Sequence, residues 1–199
     1  MVMTTSRNRR GQGGRLRTKI LAAATELLDA GGDERSVTLR AVARQAGIAA
    51  PSIYPHFLDQ PAIMVAIVRQ GFADLTGRLR SAAAAVEDPL SAVCLTYLEY
   101  AQRHPQRYRA MFGDLWHPVP ADDPTTLAAE AIRVLVDSLT ACVASGQCVS
   151  DDPALDAIAL WLGLHGLAHQ RAVAISYPWP TDITQRVAPL INASWRHQP

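Results

Sequence analysis

Apolar residues recur every three or four positions along nearly the whole chain, a period typical of helices rather than strands. The stretch before Gly31 and Gly32 shows it clearly, because its apolar side chains fall on one helix face: Leu16, Ile20, Ala23, Ala24, Leu27 and Leu28. Stretches that alternate between apolar and polar residues, as half-buried strands do, are absent. The sequence therefore predicts an all-α fold.

Proline, glycine and aspartate residues divide this pattern into separate helices. After the helix that ends at Gly31, short helices are predicted after Thr38 and from Ala50 to His56. Further helices are predicted over 59–86, 88–104, from 105, 125–145, 152–175 and 181–195, with a loop over 113–124. We expect residues 1–58 to form one domain and residues 59–199 a second.

The segment from Thr38 to Phe57 has the features of a helix-turn-helix. Thr38 stands at an N-cap position, and Gly47 can adopt the left-handed conformation that a sharp turn requires. Such a motif places its second helix in the major groove of DNA. An ordinary helical hairpin is the alternative, but the motif follows a basic arm and precedes a long helix that can carry a second domain.

Charge is distributed unevenly. Residues 1–60 hold nine Lys and Arg against five Asp and Glu, whereas the remainder holds ten against thirteen. A basic end on an otherwise acidic chain is typical of a segment that meets phosphates, although a solvated basic tail has the same composition.

The stretch TLRAVARQAGIAAPSIYPHF, preceded by a helix ending in LLDAGG, resembles the DNA-binding domain of the tetracycline-repressor (TetR) family. The matching positions are Thr38, Ala43, Ala46, Gly47, Ile48, Ile53, Tyr54, His56 and Phe57. Farther along, YLEYAQRHPQRYRAMFG and WLGLHGLA resemble the C-terminal domain of one branch of that family. That branch carries a Trp-x-x-x-His-Gly signature, to which Trp161, His165 and Gly166 correspond.

The resemblance implies which residues contact DNA. Thr38 would cap the second helix and meet a phosphate, Tyr54 and His56 would lie at the DNA backbone, and Phe57 would be core. Arg40 and Arg44 lie four apart on one helix face, so both can point to the duplex, with a solvated face as the alternative. The full predicted DNA-binding set is Arg15, Arg17, Thr38, Arg40, Arg44, Ala49, Ala50, Ser52, Tyr54 and His56.

Two residues depart from the family pattern. Ala49 stands where a Ser or Thr cap is usual, and Gln60 stands where a Lys commonly meets phosphate. Between Ala50 and Tyr54 there is also no Arg, Lys, Asn or Gln to make bidentate base contacts. We therefore expect specificity to rest on methyl contacts, on DNA shape and on the arm over residues 7–17.

The second half of the chain supplies a candidate effector site. The helix predicted over 88–104 is apolar on more than one face, and aromatic, Met and His residues follow it. The predicted ligand-binding residues are Tyr97, Tyr100, His104, Tyr108, Met111, Phe112, Trp116, Trp161 and His165. We expect a ligand to lie among Tyr97, His104, Phe112 and Trp161, although simple core packing is the alternative for each residue.

Other chemistries lack support in the sequence. His165 and His169 lie four apart on a helix, but no carboxylate or Cys completes a metal site, and hydrogen-bonded neutral histidines are favoured. No catalytic motif or phosphate loop is present, so we expect no catalytic residue, no metal and no cofactor. Cys94, Cys142 and Cys148 form no disulfide framework and are predicted to be core residues. With no membrane span or signal peptide, a cytoplasmic location is expected.

The sequence thus predicts a repressor that binds double-stranded operator DNA and is released by a small-molecule effector. A homodimer is expected through the last two predicted helices, since they carry surplus apolar residues: Leu160, Leu164, Leu167, Ile183, Val187, Leu190 and Ile191. Gly163 and Gly166 suggest close approach of helices there. A helical enzyme and an adaptor bundle are the competing classes, and an activator is the alternative to a repressor.

Overall fold

The computed structural model describes residues 12–31, 33–113 and 124–173, and these residues form helices and turns without a strand. The seven helices are α1 (Gln12–Gly31), α2 (Leu39–Ala46), α3 (Gln60–Ala84), α4 (Pro89–Arg103), α5 (Pro105–Phe112), α6 (Pro124–Ala144) and α7 (Pro153–Val173). The all-α prediction is confirmed. The predicted loop over 113–124 and the last predicted helix lie almost wholly outside the described residues.

Short polar side chains start most of these helices. Thr38 Oγ1 accepts a hydrogen bond from the Ala41 N–H at 3.2 Å, and Asp59 caps α3 through the Ala62 N–H at 2.9 Å. Asp88 caps α4 in the same way. Each bond satisfies an N–H that has no partner inside its helix, which is why the predicted helix starts lie close to the observed ones.

The short helix predicted from Ala50 to His56 is confirmed only at its start. The backbone there forms a single 3₁₀ turn over Ala50–Ser52 and continues as irregular turns to His56. Pro51 and Pro55 both lack an N–H, and a proline inside a helix clashes with the preceding turn. Pro51 stands in the first turn, where a missing N–H costs little, so Pro55 is the residue that interrupts the helix. A single α-type hydrogen bond, from the Phe57 N–H to the Ile53 carbonyl at 3.0 Å, follows it.

Two hydrophobic clusters organise the chain, and α3 contributes to both. The N-terminal cluster gathers α1, α2, the 3₁₀ turn and the start of α3, with Ile20, Val42, Ile53, Phe57 and Ile63 at its centre. The C-terminal cluster begins at Val68 and joins the rest of α3 to α4, α5, α6 and α7. We call the first part the DNA-binding head and the second the C-terminal bundle. The division at residue 58 stays a prediction.

The prediction of which apolar residues of α7 remain unburied is partly wrong. Leu160 and Leu164 are fully buried against the C-terminal bundle. The large apolar side chains that remain exposed on this helix are instead Leu155, Ile158 and Leu162. Helical rotation separates the two sets, because residues 155, 158 and 162 follow one face while 157, 160 and 164 follow another.

The three cysteines are buried, which confirms their prediction as core residues. Burial raises the pKa of the Cys94 thiol to about 12. None of the helices in the described part of the chain is both long and apolar enough to cross a membrane.

Candidate nucleic-acid interface and effector site

The turn between α2 and the 3₁₀ segment has the geometry that the sequence predicted. Gly47 adopts φ 62° and ψ 42°, the left-handed conformation that carries little cost for glycine alone. The Ile48 N–H then donates to the Ala43 carbonyl at 3.0 Å, which closes the end of α2. Val42, Ala43 and Ala46 face the core, so the opposite face of α2 is left to solvent.

Most of the predicted DNA-binding residues share the solvent-facing side of the head. Those that are exposed are Arg15, Arg17, Thr38, Arg40, Arg44, Ala49 and Tyr54, whereas Ala50, Ser52 and His56 are half-buried. Tyr54 leaves 58% of its surface exposed, which is unusual for an aromatic residue inside a small folded head. The Arg17 guanidinium lies 4.8 Å from the centre of the Phe57 ring and ties α1 to the end of the motif.

The two departures from the family pattern have visible consequences. Ala49 precedes the 3₁₀ turn without any side-chain cap. The Gln60 Nε2 group donates to the Glu34 carbonyl at 2.8 Å, so this amide joins the start of α3 to the turn over Glu34–Ser36. Gln60 therefore has a structural contact within the head.

Polar side chains from three helices meet inside the C-terminal bundle. We call these residues, Tyr97, Tyr108 and His165, the Tyr–Tyr–His cluster. The two phenol oxygens lie 2.9 Å apart, and His165 Nδ1 lies 2.7 Å from the Tyr108 oxygen and 3.3 Å from that of Tyr97. Helices α4, α5 and α7 each supply one member, so the cluster fixes their relative positions.

Aromatic rings enclose this cluster. The Trp161 ring stacks on His165 with centroids 5.3 Å apart and an angle of 25°, and Phe112 meets the His165 ring edge-on at 4.8 Å. Such a site combines a large apolar surface with a few directional polar groups, which suits recognition of a small molecule.

Burial controls the charge of the cluster. Desolvation raises the pKa of both phenols and lowers the pKa of His165, to which the charge of His169 also contributes. The uncharged forms are therefore favoured. Within the ranges that the structure describes, no three His, Cys, Asp or Glu residues are grouped as metal ligands.

We expect the free energy of unfolding to fall as the pH is lowered through 6.5 and toward the lower pKa values that two histidines have in the folded chain. His165 and His104 both have a lowered pKa in the folded chain, through burial first. The unfolded chain therefore binds more protons below the ordinary value of 6.5, which favours unfolding. Urea unfolding at several pH values should show this slope, and His165→Asn should reduce it, as should His104→Asn. An unchanged slope in both variants would contradict the prediction.

The predicted ligand-binding residues divide into two groups. Tyr97, Tyr108, Phe112, Trp161 and His165 lie together in and around the cluster. The rest of the set lies elsewhere, because helical rotation turns neighbouring positions of α4 toward different partners.

The second group surrounds Gly71 of α3. The Tyr100 hydroxyl donates to the Gly71 carbonyl at 3.2 Å, and the His104 ring lies 5.1 Å from the Tyr100 ring. Met111 fills the space where a Cβ at Gly71 would stand, only 2.7 Å from its sulfur. His104 therefore lies beside Tyr100, whereas Tyr97, Phe112 and Trp161 lie in and around the cluster, and the predicted pocket among these four residues stays a prediction. Trp116 lies outside the described residues.

Two open grooves lie away from the cluster. One of about 320 Å³ separates α1, α3 and α5 and is lined by Thr25, Ile67, Gln70, Gly71, Ala73, Asp74 and Arg107. The other, of about 300 Å³, lies between α3 and α6. Sequence reasoning missed Asp29 and Arg107, which form an ion pair beside the first groove although 78 residues separate them. No local pattern marks such a pair.

These features define a helix-turn-helix DNA-binding protein with a helical C-terminal bundle. Residues 20–67 match the family model described as bacterial regulatory proteins, tetR family. Residues 90–193, more than half of the chain, match the model described as tetracyclin repressor-like, C-terminal domain. The chain therefore belongs to the tetracycline-repressor family, whose members are transcriptional regulators and not enzymes. A search of curated proteins found no match.

Solved structures share the whole fold. A protein of unknown function from Rhodococcus sp. RHA1 superimposes with a TM-score of 0.77 at 24% identity, covering 96% of this chain and 98% of that one. A tetR-family regulatory protein from Rhodococcus RHA1 gives 0.68 at 18% identity, covering 91% and 97%. The regulator FadR from Bacillus subtilis, solved in complex with stearoyl-CoA, gives 0.73 at 14% identity, covering 88% and 97%. At these identities the similarity is one of fold.

Proposed function

We propose that this chain is a homodimeric transcriptional repressor that leaves a palindromic operator when a small, largely apolar ligand binds at the Tyr–Tyr–His cluster. The observation that carries the proposal is the cluster itself, where polar groups from three helices meet inside an aromatic enclosure. Trp161 and His165 of the Trp-x-x-x-His-Gly signature stack on each other there, which supports membership of the family branch with that signature. A cytoplasmic location would suit this function.

The bound stearoyl-CoA of FadR from Bacillus subtilis supports the ligand part of the proposal. That protein holds an acyl chain in the same overall fold. For this chain we infer only the shared chemistry, a ligand whose body is mostly apolar, because the rings around His165 offer apolar contacts to most of its surface.

The DNA part rests on the exposed side of the head. Arg40 and Arg44 on α2 and Tyr54 after the 3₁₀ turn would contact phosphates, and Arg15 and Arg17 would extend the contact from α1. Ala49, Ala50 and Ser52 would face the bases, while Thr38 and His56 would flank them. A single head makes few contacts, so two heads on a palindromic site are required for stable binding.

The dimer would form through the exposed face of α7 together with residues 181–195, which lie outside the described residues. Leu155, Ile158 and Leu162 are exposed by 64%, 42% and 57% and follow one face of this helix. Gly166 continues the same face, and no atom of the described chain lies within 4 Å of a Cβ built there. Such a face permits the close helix approach of a twofold four-helix contact.

DNA binding by wild-type protein and by Arg44→Ala and Tyr54→Phe variants tests the proposal. The probe is a duplex that wild-type protein selects from a random-sequence pool. We expect both variants to weaken binding to all sequences alike, and Arg44→Ala to lower the slope of log affinity against log salt by about 1, because one phosphate contact is lost.

Arg80→Ala is the matched control, since Arg80 is an exposed charge on the far part of α3. It should leave the affinity and the salt slope unchanged. A change of preferred sequence in Arg44→Ala would contradict its assignment to phosphate, and failure of wild-type protein to select any duplex would favour an adaptor. Transcription from a promoter carrying the selected site separates repression from activation.

A further inference from the structure

Helix α5 contacts both the effector site and the DNA-binding head. Its residues Tyr108 and Phe112 belong to the cluster and its enclosure. Its residue Ala110 packs against the core of the head, and Arg107 reaches α1. This eight-residue helix therefore contacts both the residues proposed to bind ligand and α1, the first helix of the head.

The contact to α1 is a bidentate ion pair. Arg107 Nε lies 3.0 Å from both carboxylate oxygens of Asp29, and Nη2 lies 2.6 Å from Oδ2. Two parallel N–H donors fix the orientation of the partners as well as their distance. The hydrogen bonds that Arg107 donates to Asp29 are also the main reason why the pKa of Arg107 is raised.

This pair differs from Arg80–Glu130, Arg103–Glu99 and Arg78–Asp74 in the burial of its arginine and in what it connects. Its side chains are 24% and 34% exposed, whereas Arg80 and Glu130 are each 60% exposed. Arg103–Glu99 and Arg78–Asp74 each lie within one helix. Arg107–Asp29 joins the C-terminal bundle to the head across a half-buried surface, where solvent screens it less.

The surface around the pair is loosely packed. The groove of about 320 Å³ adjoins Arg107 and separates Thr25 of α1 from Gln70 of α3. Gln106, the residue before Arg107, has a buried Oε1 atom without a hydrogen-bond partner among the described residues. Apolar packing is therefore incomplete where α5 meets α1. We infer that the directional Arg107–Asp29 pair contributes strongly to the geometry of this contact.

We propose that Arg107 and Asp29 are a positioning pair that holds the DNA-binding head in its DNA-competent orientation on α5, so that a ligand which displaces Tyr108 or Phe112 turns the head through this pair. The ligand part rests on the proposed function, whereas the positioning part is independent of any ligand. A modest rotation of each head is enough to spoil the spacing of about 34 to 36 Å between successive major grooves.

The experiment measures binding of the selected duplex to full-length Asp29→Asn, Arg107→Gln and the exchange variant Asp29→Arg with Arg107→Asp. We expect either neutral variant to lower the affinity about 3- to 10-fold, because the competent orientation becomes less populated, with an unchanged salt slope. The exchange variant should recover most of the loss. Hydrogen exchange without DNA should accelerate at the C-terminal end of α1 and in α5 of both neutral variants.

Glu130→Gln is the matched control, because it breaks an interhelical pair inside the bundle, and it should stay within about 2-fold of wild type. Neutral variants that lose thermal stability but keep wild-type affinity would overturn the proposal and leave the pair a purely structural role. A wild-type protein that selects no duplex contradicts the proposed function instead. The hydrogen-exchange rates of α1 and α5 in the neutral variants then still show whether the pair holds these two helices together.

Discussion

Leu162→Asp is expected to convert the proposed dimer into monomers and to lower the affinity for a palindromic operator by at least about 100-fold. Leu162 lies at the centre of the exposed apolar face of α7, between Ile158 and Gly166. Twofold symmetry places the substitution twice in the contact, so two carboxylates lose water without a partner. A monomer then binds with one head and loses the gain from linking two half-sites.

Light scattering at micromolar concentration gives the mass, and titration of the selected duplex gives the affinity. Val149→Asp is the matched control, because Val149 is also an exposed apolar residue (57%) but lies in the turn between α6 and α7. It should remain dimeric. A dimeric Leu162→Asp protein with full operator affinity would place the dimer contact elsewhere, and a monomeric wild type would remove the dimer from the proposal.

Effector and operator are expected to oppose each other, with the operator weakening effector binding by roughly 5- to 150-fold. Helix α3 runs from the helix-turn-helix into the bundle, and α5 adds a second connection through Arg107. A ligand that binds better to one arrangement of these helices must shift the head toward that arrangement. Thermodynamic linkage then requires the same factor in both directions.

The measurement is calorimetric titration of a ligand into free protein and into the operator complex, using a compound found by thermal-shift screening of hydrophobic metabolites and drugs. Tyr108→Phe removes one hydroxyl of the cluster and should weaken the ligand about 10-fold. Tyr100→Phe is the matched control, since Tyr100 belongs to the group around Gly71 and should bind the ligand like wild type.

Equal affinities in the two titrations would rule out this mechanism. Tighter binding to the complex would make the ligand a co-repressor. If Tyr100→Phe weakened the ligand more than Tyr108→Phe does, the effector site would lie at Gly71 and not at the cluster.

Features that depend on a few neighbouring residues could be predicted from the sequence. Thr38 and Asp59 cap their helices, and Gly47 takes the left-handed turn, because each uses only its own side chain or backbone freedom. The 3₁₀ turn was missed although its cause, Pro55 inside the predicted helix, is equally local. The motif ending in Tyr-x-His-Phe resembles that of the tetracycline-repressor family, and both family models support this assignment.

The sequence by itself thus determined most of the described helices, the turn at Gly47 and the residue types of a candidate aromatic effector site. Only the tertiary structure decided which aromatics meet: His165 joins Tyr97 from 68 positions away, whereas Tyr100, three residues from Tyr97, turns to Gly71. It also placed Leu160 in the core and Leu162 at the surface, and brought Arg107 to Asp29. Helical periodicity shows which residues share a face, but the partner of each face depends on how the helices pack, and that depends on contacts between distant residues.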